Sequence, residues 1–170
     1  MNGFRYAGIE TFDINNGTGF GVTLFVQGCT HHCNECHNPQ TWDFNGGKEF
    51  DRQAFEKLKE LISNENIVRL TISGGEPFDN YCAVLELSEY YKKSYPEKQL
   101  WIYTGYTYED LMEKYHDNKL LDLCDVLVDG EYKKEQRDLS LPFRGSKNQR
   151  IIDMNETRKR KKIVCKHFNG

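Results

Sequence analysis

The chain has 170 residues, of which 38% are hydrophobic, 13% aromatic and 29% charged, with only four prolines. That length can bury roughly 70% of the unfolded surface in a real core, which excludes collagen-like and disordered classes and makes two full domains improbable. A complete eightfold β/α barrel takes about 250 residues, so any barrel built from this chain is partial and open. The formal charge is −3, but residues 1–130 carry 11 Lys and Arg against 21 Asp and Glu, whereas residues 131–170 carry 12 against 5. This basic quarter includes Arg144, Lys147, Arg150 and the run from Arg158 to Lys162. Its chemistry suits an anionic small molecule, nucleic acid or an acidic protein face, although such a run is more often a solvated edge. The opening residues lack a basic segment followed by an apolar stretch, and no apolar run approaches the roughly 20 residues that span a bilayer, so a cytoplasmic protein without membrane contact is expected.

In chain order, the glycine-rich turn Asn16-Gly17-Thr18-Gly19 leads into a first strand over 22–26, followed at once by a cysteine loop. Asp51 is placed to cap a helix running to about 63, with Phe55, Leu58, Leu61 and Ile62 on one face. A second strand over 67–72 stops at Ser73-Gly74-Gly75-Glu76-Pro77, where two glycines and a proline end it sharply. A helix over about 80–93, a strand over 99–103, a helix from 108 to about 115 and a fourth strand over 125–128 complete the alternation. Short strands at 150–153 and 163–165 are the last expected elements. Strands alternating with helices predict an α/β fold with a mostly parallel sheet, whose strand-end loops converge on one site beyond their C-terminal ends.

Three of the six cysteines, Cys29, Cys33 and Cys36, crowd into the loop after the first strand as C-x3-C-x2-C. Without a secretion signal, metal or redox chemistry is a better expectation than disulfides. Structural zinc takes four protein ligands, and an ordinary [4Fe-4S] electron carrier takes four cysteines. Three cysteines on a cubane leave one iron open to a substrate or cofactor. The competing reading is zinc, with His31, His32 or His37 as fourth ligand. Cys82, Cys124 and Cys165 are far apart in sequence and are expected to be buried structural thiols.

The cysteine loop followed by Gly74-Gly75-Glu76-Pro77 resembles the radical S-adenosylmethionine (SAM) enzymes. Further blocks resemble, within that superfamily, the anaerobic ribonucleoside-triphosphate reductase activating proteins. They are Asn16 to Gly19, Thr23 to Cys29, Asn38 with Thr41-Trp42, Tyr103 to Tyr106, Val128 to Glu131 and Phe143 to Gln149. The resemblance runs in order from about 16 to 149 and does not reach the basic tail from about 155. It implies a single domain over 1–170 folded as a partial, open (β/α) barrel of the radical SAM type.

It further implies that Cys29, Cys33 and Cys36 hold three irons of a [4Fe-4S] cluster whose fourth iron binds SAM. Reductive cleavage of SAM then gives a 5′-deoxyadenosyl radical that takes a hydrogen atom from a glycine of the anaerobic ribonucleoside-triphosphate reductase. The partners implied are that reductase and a flavodoxin- or ferredoxin-like electron donor. Gly74 and Gly75 are assigned close main-chain approach to the SAM amino group, with Glu76 beside it. Main-chain groups of Glu35, Cys36 and His37 are assigned to the adenine edge. Tyr103, Gly105 and Asp129, at later strand ends, are assigned to adenine or ribose, with a helix-cap role for Asp129 as the alternative. Glu35 and His37 stand where aromatic residues are frequent in the family, and Thr18 stands where a proline is common. Arg144 is assigned to the SAM carboxylate or to an acidic segment of the partner. Two other readings compete: a small radical SAM enzyme with a different target, and a zinc-stabilised nucleic-acid-binding domain that uses the basic tail.

Overall fold

The structure is a computed structural model that describes residues 4–115 and 118–168. Seven strands form one sheet: β1 (Arg5–Asp13), β2 (Gly21–Val26), β3 (Lys48–Glu49), β4 (Arg69–Gly74), β5 (Gln99–Tyr103), β6 (Val126–Asp129) and β7 (Arg150–Asp153). Their order is β3-β1-β2-β4-β5-β6-β7. The central four, β2, β4, β5 and β6, are mutually parallel, with Val22 opposite Leu70, Leu70 opposite Leu100 and Tyr103 opposite Val128. Both flanks are antiparallel, β1 against β2 and β3 on one side and β7 against β6 on the other. The two end strands, β3 and β7, do not pair, so the sheet stays open as the chain length requires.

Helices α1 (Arg52–Ser63) and α2 (Tyr81–Ser94) cross between parallel strands, and α3 (Tyr108–Lys114), α4 (Lys119–Leu123) and α5 (Met154–Arg160) are short. Asp51 caps α1 by accepting from the Ala54 amide at 2.8 Å, and the helix buries Ala54, Leu58 and Ile62. These residues and Val84, Leu87 and Tyr91 of α2 pack on one face of the sheet, made by Val22, Leu24, Val26, Leu70, Ile72, Leu100 and Ile102. Strand side chains alternate between faces, so Thr23, Arg69, Thr71, Trp101 and Val128 belong to the other face. No helix among the described residues is long and apolar enough to cross a membrane.

Strands β1 and β3 and helix α4 have no counterpart among the expected elements. β1 carries a glycine and two register irregularities that blur its alternation, and α4, at five residues, is too short to show a helical period. The segment expected at 163–165 makes only an isolated bridge, Cys165 to Ile152. Cys124 is buried as expected, whereas Cys82 and Cys165 are exposed. Part of the basic run is folded into α5, where Arg158 donates to the carbonyls of Leu121 (2.7 Å) and Cys124 (3.1 Å) at the end of α4.

The helix-free face holds a buried ion pair. Arg69, 0% exposed, donates to the Asp13 main-chain oxygen at 2.7 Å, to Thr71 Oγ1 at 2.7 Å and to the Thr18 carbonyl at 3.2 Å, with Asp13 Oδ2 3.4 Å away. Its guanidinium leaves no room for side chains in the glycine-rich turn: a Cβ on Gly17 would lie 2.7 Å from Arg69 Nε. Burial alone pushes the Asp13 carboxyl up, but hydrogen bonds from Thr23, Asn15 and Asn16 and the charge of Arg69 outweigh it, leaving it below the usual value.

Arg69→Leu leaves Asp13 buried without its counter-charge and is expected to cost about 3–5 kcal/mol in urea unfolding. Because the folded-state pKa of Asp13 is depressed, its stabilisation is present above the unfolded value of 3.8 and is lost as pH falls through the folded value. Wild-type stability measured against pH is therefore expected to decline below about pH 4, and Asp13→Asn to flatten that part of the curve.

Candidate metal centre

The loop after β2 leaves the sheet at Gly28, whose φ of 99° is left-handed. Its return stretch holds it from outside: the amides of Gly28 and Cys29 donate to the carbonyls of Thr41 (2.8 Å) and Trp42 (3.1 Å). The buried Gln27 amide reaches the carbonyls of Gln40 (2.9 Å) and Asp43 (2.7 Å). Asp79 accepts from both the amide and the hydroxyl of Thr30, at 2.9 and 2.8 Å. Within the loop His32 and Glu35 adopt left-handed φ values of 50° and 53°, each a strain of roughly 1 kcal/mol or more that the surrounding contacts must hold.

Cys29, Cys33 and Cys36 line one cavity of about 140 Å³ together with Gly74, Gly75, Glu76, Tyr103 and Gly105. All three thiols are free and partly buried. Burial pushes the Cys29 thiol up, and burial with the nearby Glu131 carboxylate pushes Cys33 up to about 12. Such thiols keep their protons until a cation arrives, and the donor set of three sulfurs facing one space fits an iron–sulfur cluster. Among the described residues no three His, Cys, Asp or Glu side chains converge as a single-ion site. The candidate zinc histidines are engaged elsewhere: His31 Nε2 lies 3.1 Å from Glu76 Oε2, and the rings of His32 and His37 pack on Trp42 and Tyr132.

At the end of β4 the chain approaches its neighbour more closely than any side chain allows. A Cβ on Gly75 would lie 2.3 Å from the Gly28 carbonyl, and one on Gly74, whose φ is 100°, would lie 2.7 Å from Phe25 Cα. The amides of Gly75 and Glu76 are used within the sheet, donating to Val26 (2.8 Å) and Gly28 (2.7 Å). Main-chain carbonyls are therefore what this turn can offer an ammonium group.

Glu76 is 1% exposed, and its carboxylate is shared among three loops. Oε1 accepts from the Phe78 amide (3.0 Å) and the Thr104 hydroxyl (2.8 Å), and Oε2 accepts from the Gly105 amide (2.8 Å) beside His31. Gly105 packs against the His31 ring, where a Cβ would come within 2.6 Å. Tyr103 lines the cavity and its hydroxyl donates to the Phe143 carbonyl at 2.8 Å.

The remaining expected residues divide. His37 lines both this cavity and a second one of about 310 Å³ that opens beside it. The Glu35 side chain turns away to pair with Lys134. Asp129 is 1% exposed and does not line the cavity; it accepts from the Tyr108 amide at 2.7 Å, holding the start of α3, and pairs with Arg150. The N-cap of α3 itself is Thr107, in a capping box with Asp110. Arg144 lines the second cavity and donates to the Gln149 carbonyl at 2.8 Å. Sequence reasoning missed Tyr132 and Gln149 on the cavity wall. Tyr132 follows β6 as the other site residues follow their strands, a signal that was readable. Gln149 reaches the site from the antiparallel side, where its amide donates to the Gly130 carbonyl at 3.0 Å.

Residues 15–152 match the family model described as 4Fe-4S single cluster domain. The chain is 39% identical to the anaerobic ribonucleoside-triphosphate reductase-activating protein of Vibrio cholerae, covering 89% of this chain and 97% of that one. It is 38% identical to the protein of the same name from Pasteurella multocida, over 82% and 90%, and 36% identical to that from Salmonella typhimurium, over 85% and 96%.

Glu76→Gln tests the three-loop bridge. Each carboxylate oxygen faces a backbone N–H, so either orientation of the amide sets an NH2 against a donor. The isosteric change is expected to lose about 1–3 kcal/mol in denaturant unfolding, and Gly75→Ala to be worse because the obstructing atom is backbone.

Proposed function

Since the chain belongs to the anaerobic ribonucleoside-triphosphate reductase-activating proteins of the 4Fe-4S single cluster family, we propose that it generates the glycyl radical of that reductase by reductive cleavage of SAM. The observation that carries this reading is the common cavity of three cysteine thiols and the Gly74-Gly75-Glu76 turn. Cys29, Cys33 and Cys36 hold the cluster, and no fourth protein ligand is assigned. When bound, the cluster and SAM supply one-electron cleavage of the sulfonium bond to methionine and a 5′-deoxyadenosyl radical, which takes a hydrogen atom from a glycine of the reductase.

The chain's own residues prepare that event. Gly74 and Gly75 let the ends of β2 and β4 close to main-chain contact, placing the cysteine loop against the turn, and Gly28 leaves room for the Phe44 ring. Carbonyls of that turn receive the SAM ammonium group, and Glu76 acts beside them by fixing Thr104, Gly105 and Phe78 rather than by offering a free oxygen. Main-chain groups of Glu35, Cys36 and His37 border the adenine, and the His37 ring, seated on Tyr132, supplies a flat wall. Tyr103 forms the floor. Residues 1–170 work as one cytoplasmic unit, and the electron comes from a flavodoxin- or ferredoxin-like donor.

The test is anaerobic. After reconstitution with iron and sulfide and reduction, the electron paramagnetic resonance spectrum is expected to show a reduced cubane that changes on adding SAM. Mixing with the reductase is expected to yield the glycyl-radical signal. Cys33→Ala is expected to lose both. Stoichiometric zinc with no iron signal would overturn the reading.

A further inference from the structure

The segment between β6 and β7 closes on itself in a way that the cluster chemistry does not require. Arg137 and Ser146 form an antiparallel bridge, and the Lys147 amide donates to the Gln136 carbonyl at 2.9 Å, so residues 138–145 make a loop with a fixed base. Its tip is braced by Asp138 Oδ1, which accepts from the amide (3.0 Å) and hydroxyl (2.6 Å) of Ser140. Its far limb is pinned by Tyr103 through the Phe143 carbonyl, with Phe143 in a left-handed conformation at φ 57° and its ring against Trp101 and Phe168. This loop walls the cavity of about 310 Å³, which shares His37, Asn38, Ser73, Tyr103, Tyr132 and Gln149 with the cysteine cavity.

Two side chains on the loop face the larger cavity. Leu139 is 81% exposed at the rim of the larger cavity. A lone exposed leucine is ordinary; its position at this mouth is what gives it weight. Arg144 lines the same cavity, has no carboxylate partner among the described residues, and its Nε is buried without an acceptor. Arg69 and Arg150, by contrast, each face an aspartate. Neither residue lines the smaller cavity that holds the three cysteines.

Resting on the function proposed above, we infer that loop 138–145 is the receptor for the glycine-bearing segment of the reductase, with Leu139 its apolar anchor and the Arg144 guanidinium, on the cavity wall, donating to a main-chain carbonyl of that segment. The occupant follows from continuity: the loop walls a cavity that joins the cysteine cavity through six shared residues, and a glycine Cα must reach that cavity from outside. A rigid rim suits a partner that must enter deeply, because little order is lost on docking.

The experiment uses the full-length, cluster-loaded protein with the intact reductase under anaerobic conditions. Leu139→Ser changes an exposed tip and spares the fold. It is expected to leave SAM cleavage without reductase at the wild-type rate. The reductase concentration for half-maximal radical formation is expected to rise roughly tenfold, and directly measured affinity for the reductase, without SAM or reductant, to fall by the same factor. Arg144→Met is expected to weaken reductase affinity similarly. Wild-type affinity in Leu139→Ser overturns the inference, as does an Arg144→Met variant that loses SAM binding while keeping its affinity for the reductase. The direct-binding arm separates this inference from the cluster reading, which stands or falls on the spectroscopy of the wild-type protein.

Discussion

The site depends on how closely the ends of β2 and β4 approach each other. Gly75 and Glu76 donate their amides to Val26 and Gly28, and at Gly75 not even a methyl group fits between the chains. That contact seats the cysteine loop directly over the turn. The Glu76 carboxylate then gathers the end of β5 and the start of the α2 connection to the same point. One carboxylate with four neighbours does the work that separate bridges would do in a larger barrel, and it does so out of water, where each hydrogen bond is electrostatically stronger. The three thiols are thereby held by a frame made mostly of main chain.

Much of this frame was legible because it is local. The apolar runs at 22–26, 67–72, 99–103 and 125–128 match the four parallel strands, and strand-end loops in parallel sheets point one way. The capping of α1 by Asp51 followed from a single residue type at a helix start. The parts that escaped are held by distant partners. β1 is defined by pairing with β2 and β3, and Gln149 reaches the cavity only through the fold of β7. Asp129 looked like a ligand because it ends a strand, yet Arg150 and the α3 amide use its oxygens, and Arg150 lies 21 residues away.

Charge asymmetry is also partly resolved inside the molecule. Cations of the basic C-terminal quarter meet acids of the earlier chain: Arg150 faces Asp129 and Glu109, and Lys134 faces Glu35. Arg158 instead closes the carbonyl end of α4, where helix ends favour positive charge. The imbalance read from the sequence is therefore in part a device for fastening the last quarter of the chain over the first, and the free remainder is smaller than the count suggests.

An unclosed sheet has two borders, and a border with unpaired main-chain groups invites pairing with another molecule. On the first side β3, the exposed Lys48 and Glu49, covers only Arg5 and Tyr6 of β1, and the rest of the outer edge of β1 is broken by two register irregularities. At the other, β7 is partly shielded by the Cys165 bridge and by main-chain bonds from Asp153 to Val164 and from Lys166 to Ile151. Neither offers a long flat template for strand addition. Both borders of the incomplete barrel are thus interrupted, by short pairing and bulges on one side and by the tail on the other, while the cavities with the three cysteines and loop 138–145 lie at the strand ends.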